Sequence, residues 1–214
     1  MFRHRKDAGE KLAQALERYR NENTIVLGIP RGGVEIAYYV ANHLHAEMSI
    51  IVARKLGNPR NPEFAFGATA EDGSMYIDAF GRQTVTDDEI KEIAAMEKKE
   101  IRHRIEKFRH NKPLPEIKNR TVILVDDGIA TGATLFAAIE LCKKKGATKI
   151  VVGAPISGRE MKSTLNHLVD DVVILEHPNT YYAVSQGYEE FSNLSDAEAL
   201  AIVDKWEHEQ RLME

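Results

Sequence analysis

Two adjacent carboxylates, Asp126 and Asp127, stand directly before a run of small and hydroxylated residues: Gly128, Ile129, Ala130, Thr131, Gly132, Ala133 and Thr134. Together these residue types can hold a phosphorylated sugar. Successive backbone N–H groups in a loop without bulky side chains form a concavity for a phosphate. Thr131 and Thr134 can donate hydroxyl hydrogen bonds to the same anion. The carboxylates can accept hydrogen bonds from a diol or help to hold Mg2+, often through water. A phosphate on one side and a diol on the other suit a ribose 5-phosphate. A second set, Pro30-Arg31-Gly32-Gly33, lies earlier in the chain. Its glycines let the backbone approach an anion, and Arg31 brings a fixed positive charge. A third set is the cation pair Arg54-Lys55.

These side chains need elements to position them. Thr121–Val125 is apolar and β-branched, the pattern of a strand buried on both faces. The loop after it leads into a helical pattern marked by Leu135, Ala138, Ile139 and Cys142, whose dipole adds positive potential at the loop. Residues 24–29 predict another buried strand, and 34–44 a helix after the glycine turn. Two such strand–turn–helix units on one parallel sheet face each other across a crevice at the carboxyl ends of the strands. Residues 48–53 predict a further strand ending at Arg54-Lys55. Lys149–Ile156 and 171–175 complete the expected core, with a short helix over 158–165 between them and a helix over 7–20 at the start.

The stretch 122–134 closely resembles the phosphoribosyl pyrophosphate (PRPP) binding motif of the type I phosphoribosyltransferases: a hydrophobic strand, two acids, then T-G-x-T. Residues 28–33 resemble the pyrophosphate loop of the same family. The resemblance implies an α/β fold with a mainly parallel central sheet flanked by helices, a flexible loop or hairpin insertion, and a small hood. It implies one domain over 1–214, with a core at about 24–178, an insertion at about 54–115, and a hood and C-terminal helix at about 179–214. The implied reaction moves the 5-phosphoribosyl group of PRPP to a nitrogenous base or related acceptor and releases pyrophosphate, with Mg2+ as cofactor. Asp126, Asp127, Arg31, Arg54 and Lys55 would carry it. Residues 128–134 would hold the 5-phosphate, and Pro30, Arg31, Gly32, Gly33, Arg54 and Lys55 the pyrophosphate. Asp126 and Asp127 would also hold the metal. Tyr181 and Tyr182, with Tyr188 and Phe191, lie where the hood would meet the acceptor base. Each ring can either stack on a base or pack the C-terminal helix. The opening FRHR and the YYAVSQGYEEF stretch resemble a branch of the family with no assigned acceptor. Some members of the fold sense PRPP or nucleotides without catalysis, which is the second reading. A sugar-phosphate hydrolase would need an activated nucleophile or metal-bound water, and no such constellation is evident.

The insertion is read in three parts. Residues 56–66 are the least regular, with Asn58-Pro59 and Asn61-Pro62 marking turns. Residues 66–77 predict a hairpin around Glu71-Asp72-Gly73. Together they resemble the covering loop of the family. Thr86 with Glu89 forms a capping box that opens a long helix. Ile90, Ile93, Glu97, Ile101, Ile105 and Phe108 lie on one stripe of it, with one charged position. Its Lys98, Lys99, Arg102, Arg104, Lys107 and Arg109 alternate with Glu97, Glu100 and Glu106, which reads as a solvated face and not as a nucleic-acid surface. Pro113-Leu114-Pro115 returns the chain to the core. Ser195 with Glu198 opens a last helix to about Arg211.

Composition narrows the classes. Lys and Arg total 29 against 33 Asp and Glu in 214 residues, a net charge of −4, which argues against a general nucleic-acid binder. No apolar run reaches the roughly 20 residues of a membrane span. The charged start, MFRHRKDAGEK, lacks the apolar centre of a signal peptide, so a cytoplasmic location is expected. One cysteine excludes an intramolecular disulfide, and the histidines show no metal-ligand spacing. The expected partners are small molecules, with a homodimer left open.

Overall fold

Runs that are apolar at every position can be buried only in a sheet covered on both faces, and the chain builds such a sheet. The computed structural model describes residues 1–20 and 22–213, with the backbone alone at 62 and 63. Its strands are β1 (Thr24–Gly28), β2 (Glu47–Ile50), β3 (Ala53–Asn58), β4 (Asn61–Ala70), β5 (Met75–Ile77), β6 (Thr121–Val125), β7 (Lys149–Ile156) and β8 (Asp171–Glu176). Its helices are α1 (Arg5–Ala15), α2 (Gly32–Leu44), α3 (Ala79–Arg82), α4 (Asp87–Arg109), α5 (Ala133–Lys144), α6 (Arg159–Asn166) and α7 (Asp196–Arg211). The central sheet is parallel, in the order β2-β1-β6-β7-β8.

Side chains alternate between the two faces. Ile25, Leu27, Val122, Leu124, Ile150 and Val152 meet α5 on one side. Val26, Ile123, Val125 and Val151 meet α1, α2 and α7 on the other. Cys142 lies in the first of these layers, fully buried, and burial pushes its thiol up to about 12. It is therefore an inert packing residue.

The strand order places the crevice. From β1 the chain turns outward to β2, then returns to build β6, β7 and β8 on the other side. The connections leaving β1 and β6 run to helices on opposite faces, so the loops part there. Register pairs Gly28 with Val125, so both strands end level.

The segment expected to be irregular, 56–66, is instead a β-hairpin. Strands β3, β4 and β5 form an antiparallel sheet. Asn61 belongs to a strand, and the turn sits at Pro59-Arg60, where the Arg60 N–H donates to Asn58 Oδ1 at 2.9 Å. Every residue from 66 to 70 is buried, and the polar and imino residues before them hid that run. The hairpin expected at Glu71-Asp72-Gly73 is present. Its Glu71 pairs with Arg109 at the end of α4, and Arg109 also donates to the Ile50 carbonyl at 3.1 Å. Arg109 is thus buried and not on a solvated face. Burial raises the Glu71 carboxyl while Arg109 opposes the rise.

Helix α4 starts at the expected capping box: Glu89 N–H donates to Thr86 Oγ1 at 3.2 Å, and Thr86 N–H to Glu89 Oε2 at 2.8 Å. Ile90 and Ile93 join Leu56, Phe66 and Val85 in a small separate core. Thr86→Ala is expected to lower stability by about 1 kcal/mol in urea unfolding, with an unchanged transition slope.

Candidate functional site

The turn after β1 leans on the end of β6. Ile29 N–H donates to the Val125 carbonyl at 3.0 Å, and Gly33 N–H to the Ile29 carbonyl at 3.1 Å. The Pro30–Arg31 peptide bond is cis. A Cβ on residue 32 would lie 1.9 Å from Asp127 Oδ2, so the two turns approach this closely only because Gly32 has no side chain. After β6, Ile129 N–H donates to the Ile156 carbonyl at 2.9 Å and swings the loop over β7. Gly132 then caps α5 at φ 73°, a left-handed conformation, and offers no side-chain acceptor. The first N–H groups of α5 therefore have no helical partner and carry the positive end of its dipole.

Between the turns opens a cavity of about 760 Å³. Pro30, Arg31 and Gly32 line one side, and residues 126–132 with Thr134 the other. Arg54 and Lys55 reach it from the second sheet, because they belong to β3 and not to the end of a core strand. The three sets named from the sequence thus meet in one place. Gly33 and Ala133 are buried behind it. Tyr181 and Tyr182 do not line it. Tyr182 is 84% exposed, and Tyr181 packs on the core beside Gly158, its hydroxyl pushed up to about 12 by burial. The hood end of the cavity is formed by Val184, Phe191, Asn193 and Leu194.

The two acids have different surroundings. Asp127 is 9% exposed, and its Oδ2 accepts from Arg5 Nε at 2.8 Å. Its carbonyl accepts from the Tyr188 hydroxyl at 2.5 Å. Arg5 is itself 7% exposed, donates to the Ser192 carbonyl at 2.8 Å and sits 4.2 Å over the Phe191 ring. Asp126 is half-buried and lines the cavity, with Oδ1 accepting the Asp127 N–H at 2.9 Å. Burial first, and then the Asp127 carboxylate, push the Asp126 carboxyl up.

Helix α4 adds two residues that pattern reasoning left on its outer surface and stripe. Glu97 and Arg104 both line the cavity. Arg104 is half-buried and not on a solvated face; burial lowers its guanidinium, and Arg54 adds to the effect. The sequence signal for Glu97 was its place as the charged break in an apolar stripe. Arg54 Nε pairs with Glu97 Oε2 at 2.7 Å, and Arg31 lies 3.8 Å from Asp196.

No group of three or more His, Cys, Asp or Glu able to hold a metal occurs among the described residues. Asp126, unpaired among the described residues at the cavity beside Asp127, whose carboxylate is paired with Arg5, fits Mg2+ of the kind held by one or two carboxylates together with phosphate oxygens and waters. No helix among the described residues is long and apolar enough to cross a membrane.

Known proteins resemble this chain in fold or in sequence. TT1426 from Thermus thermophilus superposes with a TM-score of 0.82 at 36% identity, covering 96% of this chain and 98% of that one. A Mycobacterium tuberculosis H37Rv protein named "Putative phosphoribosyl transferase" is 40% identical over 209 residues, 96% of this chain and 47% of its own length. The chain thus spans about half the length of the curated relatives it matches. A stretch of 36 residues, 17% of this chain, is 58% identical to 18% of a protein named "Transcriptional regulator GfcR" from Methanosphaera stadtmanae. The family model described as a phosphoribosyl transferase domain matches residues 3–189. That match takes in both glycine turns, the acid pair and the sheet that brings them together, and the chain belongs to the phosphoribosyl transferase family.

Proposed function

We propose that this protein transfers the 5-phosphoribosyl group of PRPP to a nitrogenous base or related acceptor and releases pyrophosphate, in a Mg2+-dependent reaction. One observation carries the reading: an anion-cradling loop and a set of cations face each other across Asp126 in a single cavity. In this reading the loop 128–134 takes the 5-phosphate, and the Thr131 and Thr134 hydroxyls donate to it. Pro30, Arg31, Gly32 and Gly33, with Arg54 and Lys55, take the pyrophosphate. Asp126 accepts from the ribose hydroxyls, and Asp127 supports it from behind.

Anchoring the sugar at its phosphate fixes the anomeric carbon between leaving group and acceptor, which supplies orientation. The bond from that carbon to the pyrophosphate oxygen breaks, and a bond to the acceptor nitrogen forms. Positive charge develops on the ring, as in glycoside chemistry. The Asp126 carboxylate favours that charge, and Arg31, Arg54 and Lys55 stabilise the departing diphosphate. Asp126, with Asp127 beside it, would hold Mg2+, which when bound would further neutralise the leaving group.

Titration calorimetry with PRPP and magnesium chloride tests this. Saturable binding is expected, weakened about tenfold by Asp126→Asn and by Thr131→Ala, since each removes a hydrogen bond to a charged group. No saturable binding, or indifference to both substitutions, defeats the reading. A panel of bases with pyrophosphate release as readout then identifies the acceptor. The partial similarity to a protein named a transcriptional regulator supports a second reading, in which PRPP or a nucleotide is sensed without turnover. A DNA gel shift altered by PRPP, without pyrophosphate release from any base, would favour it.

A further inference from the structure

Glu97 and Arg104 are seven residues apart on α4, two helical turns, and so share a face. That face looks into the cavity. Glu97 already holds Arg54, at 2.7 Å. Arg5 is likewise committed to Asp127. Setting these pairs aside leaves Lys55, Arg104 and Arg31, whose only ion-pair partner among the described residues is Asp196 outside the cavity lining at 3.8 Å, against Asp126 in the cavity, so the cavity carries surplus positive charge. Among the described residues Arg104 makes no ion pair within 4 Å. The nearby Asp196 carboxylate is taken up by Lys107 at 2.8 Å. A half-buried guanidinium beside Arg54 and Arg31 is unfavourable until an anion comes between them. The planar fork of arginine matches phosphate oxygens two at a time.

We propose that Arg104 is a pyrophosphate-binding residue of this cavity, and that Glu97 holds Arg54 until the diphosphate takes it over. The inference rests on the phosphoribosyl-transfer reading. Its physical content is an exchange of partners. Glu97 and the diphosphate compete for one guanidinium, so the internal acid weakens diphosphate binding and eases its release as product. Among the described residues Arg104 has no such competitor, and it contributes its full attraction.

The test is calorimetry on the full chain in magnesium chloride with two probes, inorganic pyrophosphate and ribose 5-phosphate. Arg104→Gln is expected to weaken pyrophosphate binding about tenfold and to leave ribose 5-phosphate unchanged. Arg104→Lys keeps the charge without the fork, and is expected to recover part of the loss. Glu97→Gln is expected to tighten pyrophosphate binding by about threefold, by freeing Arg54. The proposal is overturned if Arg104→Gln weakens both probes alike or neither, or if Glu97→Gln weakens pyrophosphate. Should Arg104→Gln not fold by circular dichroism, the lysine variant decides, since equal loss of both probes there also overturns it. PRPP turnover that is indifferent to Arg104 would sink this inference and leave phosphoribosyl transfer standing. Arg104-dependent pyrophosphate binding without PRPP turnover on any base would do the reverse, and a chain that binds neither probe sinks both.

Discussion

Arg5→Met is expected to lower the unfolding free energy by about 3–5 kcal/mol, because it strands a buried carboxylate. The side chains of Arg5 and Asp127 are 8% and 13% exposed, so solvent cannot replace the lost partner. The remaining Asp127 charge would also sit beside Asp126. Arg5 further donates to the Ser192 carbonyl and covers the Phe191 ring, so its loss loosens the hood as well as the acid pair. The N-terminal segment reinforces that connection. Phe2 N–H donates to the Gly187 carbonyl at 2.7 Å, and Glu189 N–H to the Phe2 carbonyl at 2.8 Å. Urea unfolding at neutral pH measures the effect. The double variant Arg5→Met with Asp127→Asn is expected to recover part of the loss, because it removes the stranded charge together with its partner. A single variant as stable as the parent, or a double variant no better than the single, would refute the assignment.

Gly32→Ala is expected to weaken PRPP binding by about a hundredfold, the affinity equivalent of an overpacking cost of 2–3 kcal/mol. The added methyl would lie 1.9 Å from Asp127 Oδ2 and 2.2 Å from its Cγ. Asp127 is held in place: its Oδ2 accepts from Arg5 Nε and its backbone carbonyl from the Tyr188 hydroxyl. The methyl therefore has to wedge the β1 turn away from the acid pair, which separates the two walls of the cavity. Gly158→Ala is the control. Its Cβ would meet Tyr181 at 3.5 Å, an ordinary contact, and it lies outside the cavity lining. Calorimetry with PRPP and magnesium chloride compares the two. Equal binding by Gly32→Ala and the parent would show that the turns do not act as one pocket.

How much of this was legible depends on how local each feature is. The inner strands β1, β6 and β7 were readable because burial on both faces demands nearly unbroken apolar runs, whereas the strand read over 48–53 is divided in the structure between β2, which ends at Ile50, and β3, which starts at Ala53. Thr86 and Ser195 announced their helices, since a capping box is written within four residues. The small-residue loop that enters α5 was readable for the same reason: its glycines and threonines lie close together in the chain. The second sheet was not, because Asn61 and the prolines around it read as turns and hid the strand that leads on to the buried residues 66–70.

Arg5, Glu97 and Arg104 lie at the other extreme. Arg5 is separated from Asp127 by 122 positions, and no local pattern links them. A cavity wall and a solvated surface are both polar, so Arg104, although it shares the face of Glu97, reads as one more cation alternating with the acids of α4. Only Glu97, an acid interrupting an apolar stripe, left a trace of the cleft that α4 passes. The residues themselves determined a parallel α/β core and two glycine turns at the ends of its strands, because alternation, burial and glycine spacing act over a few neighbouring positions. Which charges confront those turns, which acid is already paired and which aromatics close the far end were decided by tertiary structure, because electrostatic partners are chosen by distance in space.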